Sequence, residues 1–162
     1  MLLTNDGVFQ HKLCDPRFGH WRTYWVQVEG AITEEAIAQL SAGVLVRGQM
    51  SKPARAARLT ETPDLPPREP PIRVRQQIPT SWLSLSLTEG MNRQVRRMTA
   101  AVGYPTLRLI RAEIELNEEV SLTLRGLSPG SARRLTPHEL TGARALRARL
   151  PVATSSPRPR SR

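Results

Sequence analysis

Asn92-Arg93-Gln94-Val95-Arg96-Arg97 places three guanidinium groups within about one helical turn, just after the Glu89-Gly90-Met91 connection. Guanidinium groups at that density are suited to anions, because each presents a planar fork of donors that matches carboxylate or phosphate oxygens. The amino end of a helix carries positive partial charge and favours Asp or Glu in its first turn, so arginines there call for a compensating anion. Phosphates of a nucleic acid would supply one, and so would a buried carboxylate from elsewhere in the fold. A solvated basic face is the plain alternative.

The elements that position this cluster are legible on either side of it. Ser81 to Thr88 alternates, with Leu83, Leu85 and Leu87 on one face and Ser84, Ser86 and Thr88 on the other, which predicts a half-buried strand. Asn92 is the expected N-cap and Gly103 the expected stop, giving a helix over Arg93 to Val102. On that helix Val95, Met98, Thr99 and Val102 form one stripe, while Arg93, Arg96 and Arg97 lie on the opposite side. Thr33, followed by Glu34 and Glu35, predicts a short helix to Leu40 stopped by Gly43. Strands are expected at Val44 to Val46, Ala54 to Leu59, Thr106 to Arg111 and Val120 to Leu124, with a turn at Gly126 to Gly130. Pro63, Pro66, Pro67, Pro70 and Pro71 exclude a central strand from that stretch and predict an extended surface loop. Asn5-Asp6-Gly7 reads as a tight turn, since its residues readily adopt positive φ.

Composition narrows the partner. The formal net charge is +10, which favours polyanions through counterion release. All 24 basic residues except Lys12 and Lys52 are arginine, which suits bidentate phosphate contact. An aromatic content of 4% is too low for an extended stacking platform, so recognition by shape and phosphate contact is expected. A DNA-binding basic helix is disfavoured, because the arginines follow a strand and not a helix-turn-helix. Cys14 stands alone, so a reducing compartment is expected and the chain is read as cytoplasmic. No membrane-length apolar run, metal-ligand spacing or phosphate-cradling glycine loop is present in the sequence.

Leu87-Thr88-Glu89-Gly90-Met91-Asn92-Arg93-Gln94-Val95-Arg96-Arg97-Met98 resembles the signature near the carboxyl end of the single-site ribosomal RNA pseudouridine synthases. The resemblance is to the branch with one type, A, for the small ribosomal particle and three types, B, E and F, for the large one. Leu2-Leu3-Thr4-Asn5-Asp6-Gly7 resembles the end of that family's first catalytic motif. Arg22-Thr23-Tyr24-Trp25-Val26-Gln27-Val28-Glu29-Gly30 resembles its tyrosine-bearing strand. Asp15-Pro16-Arg17-Phe18, Pro70-Pro71-Ile72-Arg73 and Ile78-Pro79-Thr80-Ser81-Trp82-Leu83 look most like the E type. Arg133-Arg134-Leu135-Thr136, before Pro137-His138-Glu139-Leu140, resembles the closing strand and helix, with Ala132 where the family usually has tryptophan. The resemblance spans roughly Leu2 to Leu140.

The resemblance implies an α+β fold with a mixed, largely antiparallel sheet flanked by short helices. It implies a cofactor-free, metal-free isomerase that acts on uridine in large-subunit ribosomal RNA as a monomer. Tyr24 would then stack on the uracil and Arg96 would pair with the catalytic aspartate, while Asn92, Arg93, Gln94 and Arg97 would contact RNA. The family's catalytic aspartate belongs to an Arg-Leu-Asp triplet upstream of Thr4-Asn5-Asp6-Gly7, and Met1 follows that position. Asp6 is read as a turn residue and no substitute for it. The expected organisation is a catalytic domain at 1–140, truncated at its start, and a basic disordered tail at 141–162. Two readings stay open: a synthase whose aspartate lies upstream of Met1, or a catalytically silent RNA-binding chain.

Overall fold

The computed structural model describes residues 1–67, 69–72 and 78–149. Arg73, in the Pro70 to Arg73 motif, and the tail from residue 150 onward lie outside the described residues. In chain order the elements are α1 (Gly7–Cys14), a short 3-10 turn (Pro16–Phe18), β1 (Arg22–Glu29), α2 (Glu34–Ala42), β2 (Leu45–Val46), β3 (Gln49–Met50), β4 (Arg55–Arg58), β5 (Thr80–Leu87), α3 (Gln94–Ala101), β6 (Thr106–Glu115), β7 (Ser121–Thr123) and α4 (Pro137–Ala148). Five strands form one antiparallel sheet in the order β4-β5-β1-β6-β7, and β2 and β3 form a separate hairpin. This is the α+β, largely antiparallel arrangement with short helices that the resemblance implies and the strand pattern allows.

Strand β1 is the middle of the sheet, paired along Arg22–Glu29 with β5 on one side and along Arg22–Val28 with β6 on the other. Its alternation sends Val26 and Val28 into a core completed by Leu83, Leu85 and Leu87 of β5, Ile37 and Leu40 of α2, and Val95 and Met98 of α3. The opposite face carries Thr23, Trp25 and Gln27, and Thr23 Oγ1 meets Ser86 Oγ at 2.9 Å. Strand β5 is more buried than a one-sided strand should be: Trp82 and Ser86 are buried along with the leucines. Between β4 and β1 it has no free edge, and its serines are covered by their neighbours. No regular element occupies the described part of the proline-rich stretch, and Pro66, Pro67, Pro70 and Pro71 are exposed.

A second cluster, Phe9, Leu116, Val120, Leu122 and Leu146, joins α1 and α4 to the β7 end of the sheet. Two expectations are corrected here. Asp6 has φ −86° and caps α1, its carboxylate accepting from the Phe9 N–H at 3.0 Å, so Asn5-Asp6-Gly7 begins a helix and is not a positive-φ turn. The expected boundary after Leu140 falls inside α4, which continues to Ala148, so the chain at 141–148 is helix and not disordered tail. Gly142 and Leu146 supply the buried face that holds it. Arg133 to Thr136, expected as a strand, has no strand pairing; Thr136 instead caps α4 in a capping box with Glu139. Strand β6 extends beyond Arg111 to Glu115. Among the described residues no helix is long and apolar enough to cross a membrane.

The α4 contact generates two predictions. A Cβ added at Gly142 would sit 2.6 Å from Val120 Cγ1, a close approach that only glycine allows. Gly142→Ala is expected to destabilise the fold by about 1–3 kcal/mol in denaturant unfolding. Glu139 is buried and bonded through both carboxylate oxygens to Arg133 at 2.7 Å, and this guanidinium holds its pKa down to about 2 from an ordinary 4.5. A lowered folded-state pKa means stabilisation that is present above the unfolded value and lost as pH falls. Glu139→Gln should therefore be less stable than the parent chain at neutral pH, with the gap in melting temperature closing between about pH 4.5 and about pH 2.

Candidate active site and nucleic-acid interface

Tyr24 and Arg96 are far apart in sequence, and the fold brings them together. Both line a pocket of about 210 Å³ together with Leu87, Glu89, Gly90, Met91, Arg93, Gln94, Val95 and Leu109. That volume is below the range of drug-sized pockets, about 300 to 1,000 Å³, and is on the scale of a single small ring system. One wall is strand: Tyr24 on β1, Leu87 at the end of β5, and Leu109 on β6, which pairs with Val26 of β1. The register of β1 against β6 shifts between Thr23 and Tyr24, leaving Ala112 as the extra residue opposite that step. A bulge of this kind bends a strand and re-aims a side chain. Tyr24 lies directly opposite that bulge of β6.

The other wall is the β5–α3 connection, which is built differently from its expected form. Helix α3 begins at Gln94 and not Arg93, and Asn92 does not cap it. Arg93 occupies the N-cap position with φ +54° and makes no side-chain cap bond. The Asn92 amide oxygen instead accepts from Arg97 Nη2 at 2.8 Å. Gln94, 5% exposed, does the closing: its Oε1 accepts from the Met91 N–H at 3.0 Å and its Nε2 donates to Glu89 at 2.5 Å. Glu89 also accepts from the Lys52 N–H at 2.8 Å, which ties the loop to the segment after β3. Of the four residues expected to contact RNA, Gln94 is thus spent inside the protein, Asn92 and Arg93 are exposed, and Arg97 is half-buried.

Arg96 turns away from the other arginines. Its Nη1 donates to the Thr106 carbonyl at 3.1 Å, at the start of β6. Thr99 reinforces that joint, its buried hydroxyl lying 2.7 Å from Thr106 Oγ1. Among the described residues Arg96 makes no ion pair. The one carboxylate lining the pocket, Glu89, is bonded to Gln94 and to the Lys52 backbone. Asp6 lies elsewhere, capping α1 and 3.5 Å from Arg147, and Asp15 is held by Arg17 at 2.6 Å. The pocket therefore offers an aromatic phenol, apolar walls and a guanidinium with free donor capacity, without a carboxylate placed against it. Among the described residues no group of His, Cys, Asp and Glu could hold a metal ion.

The model of the family described as RNA pseudouridylate synthase matches residues 1–101. A ribosomal large subunit pseudouridine synthase E of Xanthomonas axonopodis pv. citri is 53% identical over 114 residues, covering 70% of this chain and 60% of that protein. Its namesake from Vibrio vulnificus is 45% identical over 136 residues, covering 84% of this chain and 56% of that protein. A crystal structure of a pseudouridylate synthase superposes with a TM-score of 0.67 at 25% identity, covering 86% of this chain and 52% of that one. The chain thus spans little more than half the length of these relatives.

A stability measurement tests how Arg96 is held. With one carbonyl partner and no carboxylate, Arg96→Met is expected to leave the melting temperature unchanged or raise it slightly. A buried ion pair broken at one end typically costs about 3–5 kcal/mol, and a loss of that size in this variant would show that Arg96 is already paired within the fold.

Proposed function

The chain belongs to the RNA pseudouridylate synthase family, and we propose that it forms the base-binding wall and RNA-contacting surface of an enzyme that isomerises uridine to pseudouridine in large-subunit ribosomal RNA. The observation that carries this reading is the meeting of Tyr24 and Arg96 in one small pocket. The reaction breaks the N1–C1′ bond of a uridine, turns the uracil and rejoins C1′ to C5; C5 gives up its proton and the freed N1 takes one up, so the composition is unchanged. The base must leave its stack to be reached. A pocket on the scale of one ring, with Leu87, Val95 and Leu109 around it, suits an extruded uracil.

In this reading Tyr24 lies against the uracil face and stands near C5, where its hydroxyl can assist proton transfer. Arg96 supports the carboxylate that acts at the sugar: its Nη1 is fixed on Thr106, which leaves the remaining guanidinium donors to hold and orient a carboxylate. That carboxylate is the aspartate of the Arg-Leu-Asp motif. Asp6 and Asp15 are both engaged outside the pocket. Arg93, at the pocket rim, and Arg97 behind it face the RNA backbone.

The test compares the 162-residue chain with the same chain joined behind a segment that carries the Arg-Leu-Asp triplet, each incubated with unmodified large-subunit ribosomal RNA. Carbodiimide mapping should find no pseudouridine with the chain alone and one modified site with the joined form. Tyr24→Phe and Arg96→Met should each remove turnover from the joined form, by at least about a hundredfold if they act on the reacting groups. Site-specific product from the chain alone would move the catalytic carboxylate to Glu89, Asp6 or Asp15. A folded joined form with no product would overturn the isomerase reading.

A further inference from the structure

Outside the pocket, Arg47 has no part in the reading above. It lies at the tip of the β2–β3 hairpin, where Arg47-Gly48 forms the two-residue connection with φ +53° and +78°. Positive φ at both positions is what a tight hairpin turn demands, and the first of them is where Asn, Asp or Gly normally stands. An arginine there is conformationally unfavourable, and it is exposed. The hairpin does not stand free: Val46 is buried in the main core, and β2 packs on α3. Arg47 is thereby carried toward the helix that bears Arg93 and Arg97.

Arg93 is the second non-glycine residue with positive φ, at +54°. Two left-handed arginines thus come from separate segments to the same helix. Arg97 responds to both: its pKa is lowered, first by partial burial and then by the charges of Arg47 and Arg93. Among the described residues none of the three makes an ion pair, and the Asn92 amide oxygen on Arg97 carries no charge to offset them. Arg97 is thus repelled by two guanidinium groups that both sit on unfavourable backbone, an arrangement that costs stability in the free chain. An anion between them would reverse the sign of that interaction.

We propose that Arg47, Arg93 and Arg97 together form a grip for an RNA phosphodiester, and that the β2–β3 hairpin is an RNA-contacting element of this protein. Arg93 also lines the Tyr24–Arg96 pocket, so the grip adjoins the base site. The phosphate it takes is one beside the nucleotide in the pocket. This rests on the proposed RNA partner and adds to it a contact element outside the pocket, with a residue that makes the contact.

The experiment is equilibrium binding of the 162-residue chain to a uridine-containing RNA stem-loop between about 50 and 200 mM salt. Arg47→Gly removes the guanidinium and suits the left-handed backbone, so its melting temperature should equal or exceed that of the parent. Its log-log salt slope should be shallower by about 0.7–0.9, one phosphate contact, and Arg47→Lys should restore it. Arg125→Ala is the charge-matched control, since Arg125 lines a groove with Trp25 and Ile110 on the opposite face of the sheet. It should change the slope much less. An unchanged slope in Arg47→Gly, or an equal loss in Arg125→Ala, would overturn the grip while leaving the base pocket and its chemistry standing. Absence of salt-dependent binding by the parent chain would instead remove the RNA partner, and with it both readings.

Discussion

Strand β1 is hydrogen-bonded on both edges, and both residues that define the pocket are referenced to it. Val26 and Val28 are fully buried, so the strand cannot slip by one residue without sending both valines to the other face of the sheet. That register fixes Tyr24 on the pocket side and Trp25 on the other. It also aligns Val26 with Leu109 and so sets where β6 begins, and the Thr106 carbonyl at that start is the anchor of Arg96. The two residues that define the pocket are therefore placed by one ladder, Tyr24 directly and Arg96 through Thr106.

The β5–α3 connection shows how a polar side chain can order a loop in which charge alone would scatter the chain. Arg93, Arg96 and Arg97 repel one another at the end of a helix that already favours negative charge. Gln94 counters this by being buried and fully engaged, with Met91 and Glu89 as its partners, while Glu89 reaches across to Lys52. Arginine side chains are then free to divide by direction. Arg96 goes to the pocket; Arg93 stands at its rim; Arg97 is turned back onto Asn92.

The sequence carried the fold most clearly where periodicity and capping agreed. The strand expected from Ser81 and the Thr33 cap of α2 are both realised, Thr33 accepting from the Ala36 N–H at 3.3 Å, although β4 and β1 bury Ser81 and Ser86 on a strand that the alternation made half-buried. It misled where one motif serves two structures. Asn5-Asp6-Gly7 suits a hairpin turn and equally a helix start, and only Phe9 packing into the second core chooses the helix. Asn92 is a good N-cap by type, yet Gln94 takes up the loop hydrogen bonds and leaves the Asn92 oxygen to Arg97. At α4 the arginine-rich composition concealed the two positions that matter, Gly142 and Leu146. For the site, spacing located the arginine cluster but could not assign directions within it. Gln94 faces inward and Arg47 joins from a separate hairpin, and neither is a property of local sequence.

Unpaired positive charge is the common feature of both places where this protein meets a ligand in the proposed reading. At Arg96 it is one guanidinium, half-buried, with a single carbonyl partner; at the α3 surface it is Arg97 with the charges of Arg47 and Arg93 acting on it, and among the described residues none of the three has an ion-pair partner. In a partly desolvated setting an opposite charge is worth several times what it is in water, so the half-buried Arg96 and Arg97 gain more from an arriving anion than an exposed lysine would. The two anions differ in kind. A carboxylate beside Arg96 belongs to the catalytic apparatus and must be oriented, which the fixed Thr106 contact provides. A phosphodiester at the surface needs to be held without being chemically engaged, and a cluster contributed by two separate segments does that while leaving the adjoining pocket to the base.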